Sequence, residues 1–413
     1  MSAVLPVKRL AEVALGKMVQ PESKSPSDIL APYLRAAHIQ PHGKIIDLPE
    51  QPMWFHPSEL RVLDLRRGDV VIVEGGAGYG RSAVLSEDLP GWGFQNSIIR
   101  LRPLAGRADG RFLDYALQDA LTRGRIDLVT STATIPHFTA DKVSKFEVSA
   151  PALVEQRTIA DFLDRETAQI DALVSKQEEF IEYLRERRRA AIEAAVSEVG
   201  TRGPRLKHIV RSVRQGWSPQ CYSWPADGID SWAILKAGSV NGGLFRHMEN
   251  KELPAEVTPR PRAVVQRGDL IVSRANTRDL VGSAAVVDGD FPRLMLSDKL
   301  YAFTLKEDQA LPQFVAALLG SRKWRDLIEM RATGASSSML NISQSDIVNL
   351  PMALPPVDEQ RGILVDLDDQ TTMIDALIAK AQEHIAFARE RRAALITAAV
   401  NGQLDVRTAR KAG

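Results

Sequence analysis

The chain has 413 residues, 44% of them hydrophobic, and a formal net charge of +1. This length allows two or three domains that each bury a core, and the near-neutral charge does not by itself indicate a nucleic-acid-binding protein. The single cysteine, Cys221, excludes an internal disulfide framework and a thiolate metal cluster.

The sequence also lacks the usual signs of membrane insertion, secretion and metal binding. No apolar run reaches the ~18 residues of a membrane span, and Met1 to Gln20 lacks the apolar centre of a secretory signal. The seven histidines show no HExxH-like spacing. We therefore expect a cytoplasmic protein with no membrane segment and no metal site.

The first candidate motif is VIVEGGAGYGRS, Val71 to Ser82. Gly75 to Ser82 resemble a phosphate-binding loop, except that Arg81 occupies the position of the lysine. Such a loop follows a strand and opens into a helix, but Pro90 and Gly91 interrupt the apolar run soon afterwards. We therefore predict a hairpin tip. A nucleotide hydrolase that uses Gly75 to Ser82 remains an alternative.

A long helix is predicted next, and the chain contains it twice. Pro151 to Val196 and Pro355 to Val400 align without a gap and are identical at 24 of 46 positions. Proline opens each segment and none interrupts it, as expected for a helix of about 60 Å. Because the two helices match in length and period, we expect them to pair as a coiled coil, with amphipathic helices that each pack on their own globular region as the alternative.

The predicted seam of this coiled coil follows the apolar residues at helical spacing. These residues are Ile159, Leu163, Ile170, Leu173, Phe180 and Leu184 in the first copy, and Ile363, Leu367, Ile374, Leu377, Ala388 and Leu395 in the second. We expect Asp171 and Asp375 to form salt bridges between the helices or to face water. The arginine-rich runs 186–189 and 390–393 are interpreted as solvated faces, with functional contacts as the alternative.

The globular regions are duplicated more faintly. RGDVVIVEGG (Arg67 to Gly76) corresponds to RGDLIVSRAN (Arg267 to Asn276), but SRANTRDLVGS replaces the glycine-rich loop. A second variable loop precedes each helix, at Thr130 to Phe138 and at Thr333 to Ser343. Each globular region is predicted to be α+β, with strands first and helices later.

Arginine and asparagine in such loops suit the edges of guanine and adenine, and glycine, serine and threonine suit phosphate contacts. Plain exposed loops are the alternative. The candidate DNA-binding residues are Gly78, Tyr79, Arg81, Thr130, Ser131, Thr132, Arg274, Asn276, Thr277, Arg278, Ser336 and Ser337.

The doubled motif PxxxEQRxIxxxLD, followed by IDALxxK and RERRxAxIxAAV, resembles the repeats of the DNA-specificity subunit of type I restriction-modification enzymes. The resemblance covers essentially the whole chain. It implies two duplicated target-recognition domains, at residues 1–150 and 201–354. They are separated by two long helices, at 151–200 and 355–413, that form an antiparallel coiled coil with pseudo-two-fold symmetry.

The resemblance further implies a non-catalytic subunit that reads a bipartite double-stranded DNA target, one half per domain. Its expected partners are two DNA adenine methyltransferase subunits and ATP-dependent restriction subunits. It implies no cofactor in this chain, with S-adenosylmethionine and ATP bound by those partners. A coiled-coil adaptor that binds only protein is a further alternative.

Overall fold

The computed structural model describes residues 3–130, 136–336 and 339–409, and it divides into two compact units. Unit 1 comprises Met1–Glu178 and Gln382–Gly413, and unit 2 comprises Glu179–Ala381. Both units combine strands with helices, which confirms the predicted α+β class. None of the helices in these described ranges is long and apolar enough to cross a membrane.

Unit 1 begins with strands and becomes helical later, as predicted. Its elements up to the first long helix are β1 (Ala3–Pro6), β2 (Ala11–Leu15), β3 (Ile29–Leu34), β4 (Ile39–Gln40), β5 (Lys44–Ile45), β6 (Pro52–Phe55), α1 (Pro57–Val62), β7 (Val70–Val73), β8 (Ser82–Val84), β9 (Gly93–Phe94), β10 (Ile98–Pro103), α2 (Gly110–Thr122), α3 (Arg125–Thr130), α4 (Ala140–Lys145), β11 (Glu147–Ala150) and α5 (Leu153–Ala195).

An antiparallel sheet in the order β2-β10-β7-β8 forms the centre of unit 1. All four residues of β7 are buried, because the sheet has a core on each face. Val70 and Ile72 pack in one core with helix α2, and Val71 and Val73 pack in another with Phe55.

Unit 2 repeats this organisation. The remaining elements of the chain are β12 (Gly200–Arg205), β13 (Val210–Gln215), β14 (Ala233–Leu235), β15 (Asn250–Glu252), β16 (Leu270–Ser273), β17 (Ala275–Asn276), β18 (Ala284–Val286), β19 (Leu294–Met295), β20 (Leu300–Leu305), α6 (Pro312–Gly320), α7 (Arg322–Arg331), β21 (Thr333–Ser336), β22 (Met339–Asn341), α8 (Gln344–Val348), β23 (Pro351–Ala353), α9 (Val357–Val400) and α10 (Val406–Ala409), the last of which belongs to unit 1.

The sheet of unit 2 has the order β13-β20-β16-β18, and β16 is buried along its whole length like β7. Before each of these strands, the RGD segment forms the same turn. Gly68 and Gly268 have φ of 87° and 86°, which favours glycine. The backbone N–H three residues before each aspartate donates to Asp69 Oδ2 at 2.8 Å and to Asp269 Oδ2 at 2.6 Å. The RGD repeat is therefore a structural turn.

The two long helices are α5 and α9, each near 65 Å by the usual helical rise. The side chains that repeat at alternating steps of four and three along them are buried or half-buried. In α5 they are Leu163, Thr167, Ile170, Val174, Gln177, Ile181, Leu184 and Arg188, and in α9 they are Leu367, Thr371, Ile374, Ile378, Ala381, Ile385, Ala388 and Arg392.

The predicted seam is wrong at three positions. Leu173, Phe180 and Leu377 are 49%, 41% and 42% exposed. A strict heptad advances by four residues from Ile170, which places Val174 in the seam and leaves Leu173 outside it. The seam also contains the buried polar Thr167, which a pattern of apolar residues alone does not predict.

In unit 1, an arginine at the end of the seam connects three elements. Arg392 Nε lies 3.1 Å from Asp171 Oδ1 on the other helix, and its two terminal nitrogens donate to Gln118 Oε1 (3.2 Å) and to the carbonyl oxygen of His42 (3.1 Å). A second ion pair joins Arg389 to Glu178 at 2.9 Å. The paired positions run in opposite directions along the two helices, so the helices of unit 1 are antiparallel.

Unit 2 contains the equivalent arginine contact. Arg188 Nε lies 3.0 Å from Asp375 Oδ1, and Arg188 Nη1 donates to the carbonyl oxygen of Gly242 at 3.2 Å. The predicted interhelical salt bridges of the two aspartates are thus confirmed. The interpretation of the arginine runs as solvated faces is wrong for Arg188 and Arg392, although their neighbours Arg187 and Arg391 are exposed.

The glutamine of each EQR motif connects the start of the long helix to its own globular region. Gln156 accepts a hydrogen bond from Asp109 N (3.0 Å) and donates to the carbonyl oxygens of Arg107 (3.0 Å) and Pro151 (2.9 Å). Gln360 makes the same set of three bonds with the backbone at 309, 311 and 355. Both side chains are buried, so this part of the repeated motif is structural.

Candidate nucleic-acid interface

Each unit carries a hairpin at the end of its central buried strand, and the hairpins close with the same backbone bonds. In unit 1, Val73 N donates to the carbonyl oxygen of Arg81 (2.9 Å), and Gly80 N donates to the carbonyl oxygen of Val73 (2.8 Å). In unit 2, Ser273 N donates to the carbonyl oxygen of Ser283 (2.8 Å), and Gly282 N donates to the carbonyl oxygen of Ser273 (2.7 Å). The predicted hairpin tip is confirmed on this shared frame.

The glycine at each closing position cannot be replaced without strain. Gly80 and Gly282 have φ of 75° and 74°. A Cβ atom would lie 2.9 Å from Leu121 Cδ1 at the first and 2.7 Å from Ile328 Cγ2 at the second. Both positions therefore require the left-handed conformation and a close approach to the core.

The structure contradicts the nucleotide-binding alternative. Gly75 to Ser82 lead into strand β8, which pairs antiparallel with β7. A phosphate-binding loop instead needs a helix whose N-terminal N–H groups point at the phosphates. The segment that resembles a phosphate-binding loop is therefore a strand-to-strand connection.

The two variable loops of each globular region meet in the structure. In unit 1, Phe138 N donates to Glu74 O at 2.8 Å, and Gly75 and His137 form an isolated antiparallel bridge. In unit 2, Ile342 N donates to Arg274 O at 2.9 Å. Strand β17 there pairs with β22, which in turn pairs with β21. Each unit thus presents one junction of two loops.

Three predicted DNA-binding residues lie in the hairpin of unit 1. Gly78 ends a single turn of 3₁₀-helix and is half-exposed. The ring of Tyr79 packs against the core, and its hydroxyl group donates to the carboxylate of Asp127. Arg81 is half-buried, and its guanidinium has no hydrogen-bond partner in the described ranges. Arg81 is therefore the best placed of the three for an external ligand.

Thr130 is not placed to contact DNA. Only 1% of it is exposed, and its hydroxyl group donates to the carbonyl oxygens of Ile126 (3.1 Å) and Asp127 (3.2 Å). A serine or threonine near a helix end commonly bonds to its own backbone in this way. Ser131 and Thr132 lie outside the described residues.

In unit 2, two of the predicted DNA-binding residues have side chains that form hydrogen bonds within the protein. Arg274 is half-buried and donates from Nη1 to the carbonyl oxygen of Asp298 at 3.2 Å. Asn276 is engaged internally, because its Oδ1 accepts from Thr277 N at 2.9 Å and its Nδ2 donates to Asn241 Oδ1 at 3.3 Å.

The other predicted residues of unit 2 lie farther out. Thr277 and Arg278 are exposed in the turn that follows Asn276. Ser336 ends strand β21, and its side chain is not described. Ser337 lies outside the described residues.

Sequence reasoning missed one residue at the junction, Glu74. It has the position that Arg274 has in unit 2, because Glu74 N donates to Ser97 O (2.9 Å) as Arg274 N donates to Lys299 O (2.8 Å). The alignment of RGDVVIVEGG with RGDLIVSRAN already pairs these two residues. That alignment was the signal that could have identified Glu74.

A buried polar network supports the hairpin of unit 1 from below. Ser82 Oγ, at the start of β8, donates to Asp114 Oδ1 at 2.6 Å, and Gln118 Nε2 donates to Asp114 Oδ2 at 2.9 Å. Burial raises the pKa of Asp114 to about 6. The carboxylic acid is thus held on the side of helix α2 that faces the hairpin. Within the ranges that the structure describes, no group of three His, Cys, Asp or Glu side chains is arranged to hold a metal ion.

Comparison with known proteins gives concordant matches. Residues 63–183 match the sequence model of a family described as "Type I restriction modification DNA specificity domain". The chain is 32% identical over 184 residues to the specificity subunit of the type I restriction enzyme EcoEI of Escherichia coli, which covers 45% of this chain and 31% of that subunit. It is 24% identical over 308 residues to the EcoKI specificity subunit of Escherichia coli strain K12, which covers 71% and 65%.

The chain thus spans between about a third and two thirds of the length of these relatives. One solved chain, from work on complex assembly and conformational transition of the type I R-M system, is similar over 97% of this chain and 98% of its own length. Its TM-score is 0.61 and its sequence identity is 19%, so this likeness supports the fold alone.

Proposed function

We propose that this chain, whose residues 63–183 match the model of the type I restriction modification DNA specificity domain, reads a bipartite double-stranded DNA target, with one half-site contacted by each unit. The observation that carries this proposal is the loop junction, which occurs once in each unit on the same backbone frame. The side chains on the two frames differ, so the two half-sites should differ in sequence.

Exposed basic residues support contact with a polyanion. In unit 2, the exposed side chains along β12, β13 and the turn between them include Arg202, Arg205, Lys207 and Arg211. Lysine and arginine on one surface attract the phosphate backbone, and such binding weakens as salt rises. We expect these residues to supply affinity, whereas the loop junctions supply sequence preference.

We propose that the chain itself performs no catalysis. It would instead position two copies of a DNA adenine methyltransferase that bind S-adenosylmethionine and, in a complete complex, restriction subunits that bind ATP. A chain that acts on cellular DNA in this way would work in the cytoplasm. The matched relatives are themselves called specificity subunits, in agreement with this division of roles.

The surfaces of the long helices support two equivalent docking sites for such a partner. Leu173 and Phe387 in unit 1 are 49% and 59% exposed, and their repeat equivalents Leu377 and Tyr183 in unit 2 are 42% and 57% exposed. The register set by the ion pair of Asp171 places Leu173 and Phe387 within about one helical turn of the same level. The same pair of apolar side chains on both units suits two copies of one partner.

Leu173→Asp combined with Phe387→Asp tests this docking surface. Native mass spectrometry should show one bound methyltransferase where the unaltered chain binds two. Met373→Asp is the matched control, because Met373 is 71% exposed on α9 but its repeat equivalent is the polar Gln169. Two partners bound to the double variant would contradict the docking assignment and leave the DNA-reading proposal intact.

Mapping of methylated adenines in DNA from cells that express this chain with its methyltransferase partner tests the whole function. We expect a motif of two short half-sites with a gap of fixed length. A continuous motif would contradict the bipartite proposal, and binding to protein without any sequence preference would favour the adaptor alternative.

A further inference from the structure

We propose that Glu74 and Arg274 are equivalent specificity-determining residues, with Glu74 accepting from a base amino group in one half-site and Arg274 donating to guanine in the other. The inference rests on the proposed function, since it names the side chains through which each loop junction reads a base. Glu74 was not among the residues that sequence patterns single out.

The two residues occupy the same point of the same frame. Each follows the fourth residue of a fully buried strand, Val70–Val73 or Leu270–Ser273. The N–H group of each donates to the carbonyl oxygen of the residue just before the neighbouring strand, Ser97 before β10 and Lys299 before β20. The carbonyl oxygen of each accepts from the second variable loop. Four backbone bonds thus hold Glu74 and Arg274 alike, while their side-chain charges are opposite. Two equivalent positions that recognise different bases require this combination of a matching backbone and different side chains.

The carboxylate of Glu74 is prepared to accept hydrogen bonds. Glu74 is half-buried, and within the described ranges its side chain has no hydrogen-bond or ion-pair partner. Burial raises its pKa, and the charge of the nearby His137 opposes that effect. A partly desolvated acceptor without a donor is unfavourable, so an amino group of cytosine or adenine at this place would satisfy it.

The guanidinium of Arg274 is held on one side and open on the other. Its Nη1 donates to the carbonyl oxygen of Asp298 at 3.2 Å, and that oxygen also accepts from Gln215 Nε2 at 3.0 Å. Holding one nitrogen restricts the side chain before it binds and leaves further N–H donors for a ligand. Arginine pairs in a bidentate way with O6 and N7 of guanine, so guanine is the base that fits.

Three other polar side chains at the junctions are less suited to this task. The hydroxyl group of Tyr79 donates to Asp127, and Asn276 uses both ends of its amide internally. Thr130 is buried. A side chain that already has its partners must break them before it reads a base, which lowers the discrimination it provides.

Selection from a random pool of duplex DNA tests the inference, with the full chain assayed alone and in complex with its methyltransferase partner. Glu74→Gln should change the preferred base at one position of one half-site, and Arg274→Lys should change one position of the other half-site. We expect the preference for the original base to fall about ten-fold or more at that position. Glu87→Gln and Arg262→Lys, which alter exposed charges away from the junctions, should leave both half-sites unchanged.

The outcomes separate this inference from the proposed function. If the unaltered chain selects two half-sites and both variants select the same two half-sites without change, the roles of Glu74 and Arg274 are overturned while the bipartite function stands. No enriched motif with the unaltered chain or its complex would overturn the proposed function and the inference together. Because the two variants lie in different units, loss of folding in one, detected by circular dichroism, leaves the other as the deciding test.

Discussion

Arg392 Nε lies 3.1 Å from Asp171 Oδ1, and the same contact recurs between Arg188 and Asp375 at 3.0 Å. The members of the two ion pairs are repeat equivalents of each other, because Asp171 aligns with Asp375 and Arg188 aligns with Arg392. The duplicated sequence has therefore kept both sides of one interhelical contact. In each unit the arginine also donates to a loop carbonyl of the globular region, so it sets the helices against the domain that carries the loop junction.

Arg392→Ala should lower the free energy of unfolding by about 2 kcal/mol, because it leaves Asp171 and the loop carbonyl of His42 without their donor. Chemical denaturation followed by circular dichroism measures this change. Arg391→Ala is the matched control, since Arg391 is the exposed neighbour in the same run and should change stability by less than about 0.5 kcal/mol. Equal effects of the two substitutions would show that the contact contributes nothing specific.

Gln156→Ala should destabilise unit 1 by about 2–3 kcal/mol, because three backbone groups lose a buried partner. Gln360→Ala should act in the same way on unit 2. Gln169→Ala, an exposed glutamine on the same helix as Gln156, serves as the control. Limited proteolysis should show earlier cleavage near residues 107–109 in the Gln156 variant only, and unchanged protection there would contradict the proposed role of Gln156 in holding that backbone.

The buried carboxyl of Asp114 should make stability depend on pH. Its pKa is about 6 in the folded chain against 3.8 for an ordinary aspartate, so folding favours the protonated form. Its stabilising contribution is complete below pH ~4 and is lost as the pH rises through about 6. Asp114→Asn should therefore stabilise the chain by about 2 kcal/mol at pH 7.5 relative to its effect at pH 4.

Thermal melts of the Asp114 variant at the two pH values measure this difference. Glu87→Gln, at an exposed carboxylate, is expected to show no such change with pH. A pH dependence that is identical in the Asp114→Asn variant and the unaltered chain would show that another group titrates.

Gly80→Ala should destabilise unit 1 by about 1–2 kcal/mol more than Gly76→Ala. Both glycines have positive φ, 75° and 79°, so both substitutions strain the backbone. Only at Gly80 would the new Cβ also meet the core, 2.9 Å from Leu121, whereas nothing lies within 4 Å at Gly76. Equilibrium denaturation of the two variants gives the comparison, and equal losses would argue against the steric contribution.

The duplication, the two long helices, the α+β class and the hairpin at Val71 to Ser82 could all be predicted from sequence. Each depends on a pattern that the chain carries locally, such as helical periodicity, a buried run of β-branched residues or a glycine that needs positive φ. Alignment of the chain with itself also predicted that the two halves share a scaffold and differ in their loops. Gly80 and Gly282, which have nearly the same φ, show how closely that scaffold agrees.

Only the tertiary structure decided which side chains those patterns place together. Leu173 is apolar at helical spacing but exposed, whereas the polar Thr167 and Arg392 are buried. Helix α2 supplies a hydrogen-bond partner to Thr167 through Tyr115, and the loop of His42 supplies one to Arg392. Thr130 was predicted to contact DNA and is buried, and matching backbone hydrogen bonds place Glu74 at the same point of the fold as Arg274. Sequence periodicity determines which elements form, but burial and hydrogen bonding depend on contacts between residues far apart in the chain, and those contacts determine which side chains remain available to a ligand.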